Sequence, residues 1–140
     1  KPGNILFTRK GVAKLSDYSL CRARTIPFLD SGLVEQITPM YVAPEIIEGK
    51  KATHRSDIYS LGIALYLMFT GKVPFEVDNL QLLYHAHLRF VPLHPHQVNR
   101  RCPQALGDVI MKMIEKDPAK RYESCDQLRI ILSDVCRPRI

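Results

Sequence analysis

The side chains able to do chemistry include five histidines, four cysteines and a set of acids and bases in short distinctive segments. His85 and His87 form one close pair and His94 and His96 another, which raises the question of a shared metal ion. On a helix, positions i and i+2 point about 200° apart, so His85 and His87 cannot converge on one ion there. His94 and His96 flank Pro95 in a segment that reads as loop. All four are therefore expected on loop and helix surfaces rather than in a metal centre. Cys21, Cys102, Cys125 and Cys136 are widely spaced and contain no C-x-x-C pair. That pattern reads as reduced thiols, which suits a cytoplasmic protein, with the nucleus as the alternative compartment.

The remaining candidates stand in five segments. The chain opens with Lys1-Pro2-Gly3-Asn4-Ile5-Leu6, followed by Lys14-Leu15-Ser16-Asp17-Tyr18-Ser19-Leu20. Thr38-Pro39-Met40-Tyr41-Val42-Ala43-Pro44-Glu45 comes next, then Ser56-Asp57-Ile58-Tyr59-Ser60-Leu61-Gly62. Lys116-Asp117-Pro118-Ala119-Lys120-Arg121-Tyr122 is the last. Taken singly, Asn4 is a turn residue ahead of a strand and Asp17 a strand-end cap.

The elements that must position these residues are legible from periodicity. Residues 4–7 and 12–15 are apolar runs separated by Thr8-Arg9-Lys10-Gly11, which reads as a small β-hairpin. Residues 16–44 show little periodicity and are broken by Pro27, Gly32 and Pro39. Loops longer than about 12–15 residues are usually functional or disordered. Everything after reads as helix. Ser56 or Asp57 can cap a helix running to about Thr70, stopped by Gly71 and Pro74, and apolar on nearly every side. A weaker helical stretch runs from Asp78 to Leu88. Pro103 suits a first helical position ahead of the stripe Leu106, Val109, Ile110, Met113 and Ile114. Ser124 and Gln127 form a capping box before Leu128, Ile131, Leu132 and Val135.

Composition sets the outer limits. The chain has 140 residues, 46% hydrophobic and 24% charged, which fits one globular domain and excludes a disordered polymer. Its longest apolar run, residues 58–69, is interrupted by Ser60 and Gly62. A bilayer span needs about 20 apolar residues, so this run is expected to be a buried helix, with no membrane partner. The opening residues lack the basic and apolar regions of a signal peptide and do not start with Met, which suggests part of a longer protein. A net charge of +6 could attract acidic partners. The basic residues are scattered and Trp is absent, which argues against nucleic acid as a partner.

In their order and spacing the five segments resemble the large, helical lobe of a eukaryotic-type serine/threonine protein kinase, from just inside the catalytic loop to the last helix. The resemblance covers essentially the whole chain. It implies an α+β, mostly α fold, with a small β-hairpin and a helical bundle. Residues 1–140 would then be part of a kinase domain whose small lobe lies outside this sequence, and the catalytic Asp would sit two residues before Lys1. The activity implied is transfer of the γ-phosphate of ATP to protein Ser or Thr, with ATP and Mg²⁺ as cofactors. A protein substrate and regulatory proteins would be the partners. Without the small lobe and catalytic Asp, the isolated chain is expected to be inactive and marginally stable.

The resemblance also implies roles residue by residue. Asn4 and Asp17 match the two residues that hold the metal ions at the nucleotide, and Mg²⁺ favours such hard oxygen ligands. Lys1 matches the lysine that contacts the γ-phosphate, where a cation offsets developing charge. Thr38 matches the threonine that binds the catalytic Asp and Lys and shapes the substrate site. Glu45 and Arg121 match a buried ion pair that anchors the activation segment. Asp57 matches a support residue that accepts hydrogen bonds from the catalytic-loop backbone. Thr25, Ser31 and Thr38 lie in that segment, and Ser31 is the favoured phosphorylation site, although Ser31 and Gly32 equally suit a plain turn.

One segment departs from the family. Its metal-binding signature reads Asp-Phe-Gly, and here it is Asp17-Tyr18-Ser19. Tyrosine adds a hydroxyl that needs a partner, and serine's Cβ disfavours conformations open to glycine. This departure suggests the alternative of a pseudokinase kept as a scaffold or regulatory binding module. A helical interaction domain of another kind leaves the Asp17 and Ala43-Pro44-Glu45 segments unexplained.

Overall fold

Two short, largely apolar runs around a Thr-to-Gly turn make the first element. The computed structural model describes residues 1–16 and 38–137. A 3-10 turn, Pro2–Asn4, leads into β1 (Ile5–Phe7), which pairs antiparallel with β2 (Ala13–Leu15). The register sets Ile5 opposite Leu15, Leu6 opposite Lys14 and Phe7 opposite Ala13. Gly11 closes the turn at φ 75°, and its amide donates to the Thr8 carbonyl. The expected hairpin is present.

The rest is helical: α1 (Pro44–Ile47), α2 (His54–Thr70), α3 (Leu80–Arg89), α4 (Pro95–Val98), α5 (Gln104–Met113) and α6 (Cys125–Val135). The fold is thus α+β, mostly α. Helix α2 begins two residues before the expected Ser56. Thr53 is its cap, accepting from the Arg55 amide, while Ser56 Oγ accepts in return from the Thr53 amide at 3.1 Å. Both residues are good caps, and the reciprocal bond places Ser56 inside the first turn. Gly71 ends the helix at φ 76°, in the left-handed region where a Cβ is disfavoured. Pro103 precedes α5 in an extended conformation instead of opening it. At α6 the Ser124 hydroxyl accepts from the Gln127 amide, but the Gln127 side chain returns to Glu123, one residue before the cap.

Helix α2 packs against α4, α5 and the 3-10 turn Pro39–Tyr41. Its buried residues include Ile58, Tyr59, Ile63, Ala64 and Tyr66, and the expected α5 stripe from Leu106 to Ile114 is buried against them. Gly62 permits the closest approach: a Cβ there would come within 2.7 Å of Ile114 and 2.8 Å of Met113. One flank of α2 stays open, with Met68 exposed and Leu61 lining an apolar cleft of about 430 Å³ beside Leu128 and Leu132 of α6. Among the described residues no helix is long and apolar enough to cross a membrane.

Of the four paired histidines, His87 departs from the surface expectation. His85 is exposed, its ring edge-on to Phe90. His87 is 1% exposed and belongs to the core. His94 caps α4, in the stretch expected as loop, accepting from the His96 amide and donating from Nε2 to Asp108 at 3.1 Å. His96 Nδ1 donates to the Cys102 carbonyl at 2.6 Å. Among the described residues no cluster of His, Cys, Asp or Glu could hold a metal, and Cys102, Cys125 and Cys136 are free thiols.

Candidate active site

Two prolines steer the segment that carries Thr38 and Glu45. A residue before proline is pushed out of helical conformation, and Thr38 (φ −82°, ψ 103°) and Ala43 (φ −72°, ψ 147°) are both extended. Each proline then opens a short helical turn, where its missing N–H costs nothing. Thr38 consequently turns outward and Glu45 inward. The Tyr41 carbonyl between them accepts from Ser60 Oγ at 2.8 Å, which fastens the turn to α2.

Lys1 Nζ donates to Thr38 Oγ1 at 3.1 Å, joining the start of the chain to this turn. Asn4 follows in the same 3-10 turn as Lys1, and its carbonyl accepts from the Ser16 amide at 2.8 Å and from Ser16 Oγ at 3.3 Å. The hairpin therefore returns the chain to Asn4 immediately before Asp17. Among the described residues no partner takes the Asn4 side-chain amide, which leaves its oxygen, a hard donor of the kind Mg²⁺ accepts, available. Asp17, Tyr18, Ser19, Thr25 and Ser31 lie outside the described residues.

Glu45 and Arg121 meet in the interior. Arg121 NH1 and NH2 each donate to one Glu45 carboxylate oxygen at 2.8 Å. The other three N–H bonds go to the carbonyls of Glu115 (2.7 Å), Arg55 (2.8 Å) and Lys116 (3.2 Å), so all five guanidinium donors are used. Ser56 Oγ adds a 2.6 Å bond to Glu45, and the Tyr59 ring lies 4.8 Å under the guanidinium. Burial works against the Glu45 charge, but the bonds from Arg121 and Ser56 outweigh it and hold the carboxyl below its ordinary pKa. One ion pair thus ties α1, the first turn of α2 and residues 115–121 together. Asp57 sits in that first turn, exposed. Partial desolvation raises its carboxyl above the usual value, with His54 opposing, and it accepts no hydrogen bond among the described residues.

A family model of the protein kinase domain matches residues 1–130. The chain belongs to the protein kinase family. It is 35% identical over 133 residues to a probable serine/threonine-protein kinase of Clostridium perfringens, covering 91% of this chain and 19% of that protein. It is 35% identical over 131 residues to the serine/threonine-protein kinase PksC of Streptomyces coelicolor, covering 92% and 24%. With the serine/threonine-protein kinase PknD of Mycobacterium tuberculosis it shares 38% over 135 residues, covering 96% and 20%. The chain therefore spans about a fifth to a quarter of these relatives' length.

Around the kinase ion pair stands a second buried group that sequence reasoning missed. His87 Nδ1 lies 2.7 Å from the Tyr59 hydroxyl, and the Phe75 ring meets the imidazole edge-on at 5.2 Å. Lys116 Nζ sits 4.6 Å from the Phe75 ring centroid and donates to the Ala86 carbonyl at 3.2 Å. Burial, then the Lys116 charge, lowers the His87 pKa to about 4, with the Met40 backbone opposing. Burial and the Arg121 charge bring Lys116 down to about 8. A signal for His87 existed. Leu83, Ala86 and His87 are the buried residues of α3, an i, i+3, i+4 stripe. The 200° that separates His85 from His87 sends one of them inward.

Proposed function

We propose that this chain supplies the large-lobe half of an ATP-dependent serine/threonine kinase. The single observation that carries the reading is the Lys1 to Thr38 hydrogen bond at 3.1 Å, made by the two residues that the family resemblance assigns to the phosphate and the substrate site. Asn4 and Asp17 would hold Mg²⁺, which when bound neutralises and orients the nucleotide phosphates. Lys1 then presents a fixed cation toward charge developing on the transferring phosphoryl group. Thr38 holds the lysine's ammonium in place, and the turn it begins faces the protein substrate. The Glu45 and Arg121 pair keeps that turn's far end from moving, so Lys1 and Thr38 keep their spacing. Asp57 is a ready acceptor for backbone amides of the catalytic loop ahead of Lys1. Ser31 is the proposed site of activating phosphorylation, and regulatory proteins are proposed partners.

The test is ATP turnover and serine or threonine phosphorylation by the complete kinase domain containing residues 1–140, with Asp17→Ala as control. The reading expects turnover that Asp17→Ala abolishes, and none from the isolated 140-residue chain. Activity unchanged by Asp17→Ala would refute the metal assignment. Ser19 favours a second reading, a pseudokinase scaffold. An aspartate two residues before Lys1 supports the enzyme, and any other residue there supports the scaffold.

A further inference from the structure

Helix α2 gives two hydroxyls to the segment 38–45, and they come from positions four apart. Ser56 Oγ donates to Glu45 Oε1 at 2.6 Å, and Ser60 Oγ donates to the Tyr41 carbonyl at 2.8 Å. Positions i and i+4 share one face of a helix, about 6 Å apart along its axis. The segment therefore runs antiparallel to α2, bonded to it once at Glu45 and once at Tyr41. The two bonds differ in what backs them. Glu45 is also gripped by the Arg121 fork, so its end of the segment does not depend on Ser56 alone. Tyr41 is buried, and among the described residues Ser60 Oγ is the one donor to its carbonyl. The turn has little to hold it from within. Its own amide bonds are long, 3.2 Å from Tyr41 to the Thr38 carbonyl and 3.3 Å from Val42 to the Pro39 carbonyl. Helix formation gives no reason for a serine here, since alanine is the better helix former. The Ser60 hydroxyl reaches across to the turn instead of back into its own helix.

We propose that Ser60 is a positioning residue for Thr38. Its hydroxyl holds the Tyr41 carbonyl at the end of the turn that Thr38 begins. It thereby sets where Thr38 Oγ1 meets Lys1 Nζ, 3.1 Å away. The path runs from α2 through one short turn to the ammonium. Glu45 and Arg121 fix the far end of the segment, and Ser60 fixes the end that carries Thr38. Loss of the Ser60 hydroxyl lets the turn pivot about Glu45 while the buried ion pair stays intact. The consequence for phosphoryl transfer rests on the kinase reading; the hold on the turn does not.

The test uses the complete kinase domain containing residues 1–140, unaltered and with Ser60→Ala, Ser60→Thr and Ser60→Val. Serine and alanine differ by the hydroxyl, and so do threonine and valine, which are nearly equal in shape. A clash from the added methyl therefore moves the second pair together and cancels in the comparison. Within each pair, hydrogen exchange at the Tyr41 and Val42 amides should be about five- to tenfold faster without the hydroxyl, the scale of one hydrogen bond. The Ile114 amide, bonded to the Ile110 carbonyl at 3.1 Å in the core, should stay unchanged. An equal rise at Ile114, or no rise at Tyr41 and Val42, would overturn the proposal. In peptide phosphorylation, Ser60→Ala should lower kcat/KM about five- to tenfold. With Thr38→Val already present the same change should cost less than about twofold, because the bond that Ser60 positions is gone. Equal losses in the two backgrounds would show that Ser60 does not act through Thr38, and would also overturn it. Absence of phosphotransfer in the unaltered domain would instead refute the kinase reading, leaving the exchange rates to decide on Ser60.

Discussion

Replacing Arg121 with methionine removes five N–H donors from the interior at once. Glu45, only 5% exposed, would keep its charge with one remaining side-chain donor, Ser56. Removing one partner of a buried ion pair costs about 3–5 kcal/mol, because the survivor is neither solvated nor neutralised. Three carbonyls also lose a bond, but those of residues 115 and 116 lie near the surface, where water can replace it. The expected loss is therefore about 4 kcal/mol, a large part of the ~5–15 kcal/mol that holds an ordinary domain together. The assay is urea denaturation of the kinase domain followed by circular dichroism at neutral pH. Arg121→Lys keeps the charge but not the fork, and should lose about 2 kcal/mol, which preserves a reading should methionine prevent folding. The double variant Glu45→Leu with Arg121→Met should be more stable than the sum of the single losses by about 2 kcal/mol or more. Acidification separates the mechanisms further. With Arg121 present, the Glu45 pKa lies below its unfolded value, so its stabilisation holds above about pH 4.5 and is lost as pH falls through the folded value. Without Arg121, only Ser56 and a backbone amide oppose desolvation, so that pKa rises relative to the unaltered protein and the variant's deficit should shrink as pH falls. A loss under about 1 kcal/mol for Arg121→Met, or strict additivity in the double variant, would refute the argument.

The buried histidine predicts acid sensitivity at higher pH. Folded His87 stays neutral to about pH 4, while the unfolded ring charges below about 6.5, so the unfolded state binds the extra proton between these values. Stability should fall across that window by about 3 kcal/mol, and the slope of urea midpoint against pH should flatten in His87→Gln. Gly62→Ala gains helix propensity of about 1 kcal/mol but drives a methyl into Ile114 and Met113. Overpacking should win, lowering Tm by several degrees, whereas a raised Tm would show that α5 yields freely. Thr38→Val keeps shape and removes the bond to Lys1. Phosphotransfer should drop about tenfold to a hundredfold, with Thr38→Ser restoring most of it, in assays of the complete kinase domain.

Local pattern explains which elements were legible. The hairpin follows from two short, largely apolar runs and Gly11, and the α5 stripe from apolar spacing that only a helix gathers onto one face. Boundaries were weaker wherever two residues could do one job. Thr53 and Ser56 both suit a cap, and only the closed pair of bonds between them sets where α2 begins. His94 escaped notice as a cap because its ring accepts from a backbone amide two residues on, a use of histidine that composition does not signal.

The site divides along the same line. The types and order of Lys1, Asn4, Asp17, Thr38, Glu45, Asp57 and Arg121 are properties of the sequence, and they suffice to suggest the kinase family. Asp17 and Ser31 remain readings of sequence, since they lie outside the described residues. What tertiary structure alone decided is which distant groups share an interior. Tyr59 and His87 stand 28 positions apart, with no repeat or motif to join them, and the bond exists because both side chains are buried in the interior, one from α2 and one from α3. Burial then gives these residues their character. The same imidazole that would be an ordinary surface base becomes neutral and directional once water is removed, because a charge there has nothing to solvate it.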